Sequence, residues 1–159
     1  MLFVQAVYAS GSVYAGEYTR KELSYLTHND AAWPMLANMT GEQVYELVER
    51  TLAAQHGYGV ICNDSTLYVS SGFEMDLSRT KEGGYKLNKL TKDGKELDRK
   101  GKYSILLMGD RGWSKGLVIT QMGIQDYSYD VQRCYKHLYK HLVEDGGKLE
   151  APTDYIKLK

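Results

Sequence analysis

Gly109-Asp110-Arg111-Gly112-Trp113 is the stretch of this sequence best equipped for ligand chemistry. Two glycines let the backbone approach a ligand closely, an arginine can grip a phosphate or carboxylate through two parallel N–H bonds, and an indole offers a flat stacking face. The segment follows Tyr103–Met108, an apolar run that predicts a strand covered on both faces. Ligands of open α/β sheets collect beyond the ends of such strands. The same five residues also make a good turn.

Other chemical signals are weaker. Gly11 and Gly16 have the separation found in a phosphate-cradling loop, but Glu17 and Tyr18 follow where that loop requires Lys and then Ser or Thr. A carboxylate there repels phosphate. His137 and His141 are four residues apart on a predicted helix, yet no acidic residue takes the second position of the motif and no third metal ligand is evident. They read as solvated residues flanking an apolar stripe. No Ser or Cys stands in a nucleophile-elbow context. Cys62 and Cys134 lack paired spacing and read as small buried side chains. Fourteen Tyr against two Phe suit half-buried faces, either at the rims of a core or against sugars and bases.

A frame must position these residues. Leu2–Tyr8 predicts a strand, followed by a Ser10-Gly11-Ser12 turn, and Arg20–Leu26 a short helix. Thr40-Gly41-Glu42-Gln43 has an N-cap hydroxyl with a Gln three residues later, the pattern of a capping box. Val44, Leu47, Val48, Thr51 and Leu52 then share one helix face, and Met39 can staple onto Val44. A helix is expected over 40–55. Thr66–Val69 predicts a strand, and Phe73–Leu77 alternates apolar and acidic residues, so one face of a second strand is buried. Tyr85–Thr91 alternates again, between turns at Lys81–Gly84 and Lys92–Lys95. Leu117–Thr120 predicts a further strand. A second long helix runs from Ser128 or Asp130 to Asp145, with Gly146-Gly147 as its stop. The expected architecture is a single α+β domain over 1–159, with a mixed sheet and two long amphipathic helices.

Composition agrees with one packed core: 159 residues, 43% hydrophobic and 25% charged, with no linker or repeat. Twenty Lys+Arg balance twenty Asp+Glu, which removes the general attraction that nucleic-acid or anionic-membrane binding rests on. No nucleic-acid partner is expected. The uncharged opening Met1–Gly16 is shorter than the roughly 20 apolar residues of a membrane span. It reads as strand and turn, and the chain begins abruptly, as if inside a domain.

Several of these pieces stand in the order of one family. Gly16-Glu17-Tyr18-Thr19, Met39-Thr40-Gly41-Glu42-Gln43-Val44, Val69-Ser70-Ser71-Gly72-Phe73, and Asp93-Gly94-Lys95-Glu96-Leu97-Asp98 with Lys102-Tyr103-Ser104-Ile105 together resemble the C-terminal domain of the 5′-nucleotidase family. That family reads a-G-e-i-T, m-T-G-e-q-l, v-S-G-l, and d-G-k-p-l-d followed by k-Y-t-v. The final helix and Gly146-Gly147-Lys148-Leu149 before Ala151-Pro152 are similar to its ending.

The resemblance implies an α+β domain that follows an N-terminal metallophosphoesterase domain. In the family, that first domain holds two divalent metal ions and the catalytic His. The C-terminal domain grips the nucleoside between two aromatic rings and helps hold the phosphate with arginine. For this chain the resemblance therefore implies a small-molecule phosphate ester or nucleoside as ligand and the N-terminal domain as partner. It implies no catalytic residue and no cofactor in the chain itself, and an exported or cell-surface setting.

All three substrate-binding signatures of the family are altered here. Ala6-Val7-Tyr8-Ala9-Ser10 stands in place of G-G-G-I-R, whose arginine meets the phosphate. The aromatic before v-S-G corresponds to Leu67, with Tyr68 beside it. The long N-F-x-x-x-G-G-D-G-y loop is shortened to Leu107-Met108-Gly109-Asp110-Arg111-Gly112-Trp113. Tyr68, Asp110, Arg111 and Trp113 are thus the candidate substrate-binding residues of a rebuilt pocket. The alternative is a non-catalytic binding or interaction module.

Overall fold

The longest helix begins where the capping box places it. The computed structural model describes residues 2–5, 19, 21, 34–53, 68–108, 114–130, 134–144, 146 and 156–158. Gln43 N donates to Thr40 Oγ1 at 3.3 Å while Thr40 N donates to Gln43 Oε1 at 2.8 Å, satisfying two otherwise orphaned donors. Helix α1 (Gly41–Ala53) buries Val44, Leu47, Val48, Thr51 and Leu52 as its periodicity requires, and Tyr45 besides. The Thr51 hydroxyl is satisfied inside the helix, donating to Val48 O at 2.7 Å. Met39 and Val44 are both buried, as the staple demands.

Two sheets flank this helix. Strands β1 (Leu2–Gln5), β2 (Met35–Thr40), β3 (Tyr68–Ser71), β7 (Lys102–Met108) and β8 (Tyr127–Tyr129) form the first, in the order β3-β1-β7-β2-β8. β1 and β7 are parallel and every other pairing in it is antiparallel. Strands β4 (Glu74–Arg79), β5 (Tyr85–Lys92), β6 (Lys95–Glu96) and β9 (Ile156–Leu158) form the second, in the order β6-β5-β4-β9, with β4 and β9 parallel. The α+β class thus stands, with the mixed sheet resolved into two. Met35, Ala37, Met39, Ile105 and Leu107 from the first sheet join Met75, Leu77, Leu87 and Leu90 from the second, and the helix, in one core cluster.

The family motifs prove to be the joints of this frame. Ser71-Gly72-Phe73 carries the chain from one sheet to the other: Gly72 has φ 81°, a left-handed step that favours glycine, and Phe73 is buried in the core. Asp93 and Gly94 have φ 52° and 75°, the twin positive values of a type I′ hairpin turn between β5 and β6. Beyond it, 97–101 docks on the start of α1, where Gly41 N donates to Gly101 O at 2.9 Å and Glu42 N to Arg99 O at 2.8 Å. Arg99 also hydrogen-bonds Glu42 at 2.8 Å and lies 3.9 Å over the Tyr45 ring. The Tyr45 hydroxyl accepts from Leu90 N at 3.1 Å, and burial, foremost, pushes this phenol above its ordinary pKa.

Four expectations are corrected. Leu117–Thr120 belongs to a π-helix, Ser114–Gln121, in which Val118 is buried; a short apolar run does not distinguish strand from buried helix. The second helix does not start at Ser128, which lies in β8; its described part is α2 (Cys134–Tyr139) continued by a π turn, Lys140–Glu144. Gly146 then takes φ 64°, fitting its role as a stop. β7 is buried on one face only, because Ser104 on the other is exposed. In β4 the alternation also fails: Asp76 is buried with Met75 and Leu77, its carboxylate accepting from Asn88 Nδ2 at 2.8 Å. The register shifts there, Asp76 facing Lys89 and Leu77 facing Leu87, so Asn88 is the extra residue of a β-bulge. That bulge lets Leu87 and Leu90 both face the core. The remainder of the first expected strand, 6–8, and of the early helix, 20 and 22–26, lie outside the described residues, as do the start of the next expected strand, 66–67, the glycine loop 11–16 and Cys62. No helix among the described residues is long and apolar enough to cross a membrane.

Candidate functional site

The strand directions bring five chain ends to one end of the first sheet. β1, β7 and β8 run the same way and β2 and β3 oppose them. Val4 pairs with Met108, and the next residue, Gln5, pairs with Tyr68. On the other side of β7, Leu107 pairs with Met35, which also pairs with Tyr129. The departing ends of β1, β7 and β8 and the incoming starts of β2 and β3 therefore share one edge, the place where ligand-binding loops of such sheets gather.

Tyr68 opens β3 at this edge. Asp110, Arg111 and Trp113 lie outside the described residues, but the strand that leads into them ends here at Met108, and Ser114 begins the π-helix after them. β3 and β7 are separated only by β1, a lateral distance of about 10 Å at two strand spacings. The topology thus brings Tyr68 and the strand end that leads into 109–113 to the same end of the sheet.

A polar pair that residue spacing does not reveal also belongs to this edge. Asp130 follows β8 directly, and its N–H donates to Pro34 O at 2.8 Å, which ties the ends of β8 and β2 together. Its Oδ2 lies 2.8 Å from Nε2 of His137 on α2. His137 and His141 are both exposed, as expected for helix flanks. Helical spacing alone, with Asp130 and His137 on one helix, hides their contact across the strand-to-helix junction.

The strand that carries Asp130 is held by a polar ladder on the open face of the sheet. Ser104 Oγ donates to Asn38 Oδ1 at 2.6 Å and Asn38 Nδ2 donates to Asp126 Oδ2 at 2.9 Å, linking β7, β2 and the approach to β8. Tyr127 and Tyr129 meet edge to face with ring centroids 5.9 Å apart. Tyr129 packs against the core cluster while Tyr127 is exposed. Among the described residues no group of three or more His, Cys, Asp or Glu is placed to hold a metal ion.

Three comparisons with known proteins bear on this arrangement. The family model described as 5′-nucleotidase, C-terminal domain, matches residues 5–109. A comparison with curated protein sequences gives no match. Among solved structures, the chain is similar to a 5′-nucleotidase precursor from Thermus thermophilus, at TM-score 0.71 and 10% identity, covering 99% of this chain and 31% of that one. It is similar to the NAD nucleotidase of Haemophilus influenzae at TM-score 0.72 and 10% identity, covering 99% and 29%. It is also similar to the sulfate thiohydrolase SoxB of Thermus thermophilus, solved with glycerol, at TM-score 0.66 and 15% identity, covering 99% and 28%. At these identities the likeness is one of fold. The chain spans less than a third of each of these structures.

Proposed function

This chain belongs to the 5′-nucleotidase C-terminal domain family, and from that premise we propose that it is the substrate-recognition domain of a nucleotidase-like phosphohydrolase. It holds a nucleotide or related phosphate ester for hydrolysis by an N-terminal dimetal domain. The observation that carries this reading is that Tyr68 and Met108, the strand end leading into 109–113, meet at the sheet end where β1, β7 and β8 finish. Arg111 grips the phosphate through paired charge-assisted hydrogen bonds, and Trp113 and Tyr68 offer stacking faces to the base. Asp110 accepts hydrogen bonds from the sugar or base.

The metal ions belong to the N-terminal domain and, when bound there, polarise the phosphate and activate water. This chain's share is positioning. Fixing a substrate against its catalytic groups can supply several kcal/mol of barrier reduction without making a bond.

Calorimetric titration of the 159-residue chain with adenosine 5′-monophosphate tests this reading. Arg111→Ala is expected to weaken binding by roughly ten- to a hundredfold, the loss of a hydrogen-bonded charge. Trp113→Ala is expected to weaken it several-fold through lost stacking, with the circular dichroism melt unchanged in both. Unchanged affinity in both variants rejects this site. Absence of binding by the unmodified chain turns the assignment to a non-catalytic interaction module.

A further inference from the structure

We draw no further inference here: the strongest candidate, the surface patch on the open face of the first sheet where the exposed Leu36 lies beside the Ser104–Asn38–Asp126 ladder, carries nothing because nothing in the structure shows what covers it.

Discussion

Gly41→Ala is expected to destabilise the protein by about 4 kcal/mol, with a circular dichroism melting midpoint roughly 10 °C lower. A β-carbon at Gly41 overlaps the Asp98 carbonyl oxygen and lies 2.8 Å from Asp98 C and 2.9 Å from Arg99 Cα. These are backbone atoms with no rotamer to yield, so the 97–101 segment has to move away from the helix start. That movement threatens the bonds from Gly41 N to Gly101 O and from Glu42 N to Arg99 O, each worth about 1 kcal/mol, on top of about 2 kcal/mol of overpacking. Against a total stability of about 5–15 kcal/mol, this is a large share. Urea unfolding monitored at the helix signal measures it, and a loss under about 1 kcal/mol contradicts the close packing described.

Phe73→Ala is expected to cost a comparable amount, about 3–5 kcal/mol. Phe73 is 2% exposed and stands at the joint between β3 and β4, where its ring belongs to the core shared by both sheets. Truncation removes apolar contact from a place where two sheets and a helix meet. The cavity cannot collapse without shifting one sheet against the other. A double variant with Gly41→Ala is expected to be close to additive, since the two sites share no bond in the structure. Chemical denaturation of Phe73→Ala with a loss below about 1.5 kcal/mol shows instead that the joint repacks around the missing ring.

Both residues lie in motifs that resemble the family, and their roles explain why those motifs are visible. Thr40-Gly41-Glu42-Gln43 encodes a local event, a cap, and local events are legible because they depend on side chains within one turn. Asp93-Gly94 is legible for the same reason, two residues with positive φ that make a hairpin turn. What spacing conceals is long-range. Leu87 and Leu90 have opposite parity, and only pairing with β4 through the bulge turns both inward. Leu117–Thr120 has the composition of a strand, but tertiary packing around Val118 holds it in a π-helix.

The candidate site divides in the same way. Arg111 and Trp113 stand out by residue type, and the sheet order supplies the reason why the strand before them leads to the edge that carries Tyr68. Asp130 and His137 escape such a reading because helical spacing sets His137 against His141 instead. Their contact joins a strand end to a helix and requires knowledge of where β8 stops. Family membership also gives different weight to different residues: the motifs that build the frame are present, while those that meet substrate in the family are replaced.

Mapping of amide chemical shifts while adenosine 5′-monophosphate is titrated into the isotope-labelled 159-residue chain tests the central claim most directly. Perturbations are expected at Gln5, Tyr68, Met108 and Asp130, all at the end of the first sheet where β1, β7 and β8 finish. Thr40, Gly41 and Gly101, at the opposite end of β2 and β7, are expected to stay unmoved. Perturbations clustered around Thr40, Gly41 and Gly101, or none at any concentration of nucleotide, contradict the assignment of this edge as the substrate-recognition site.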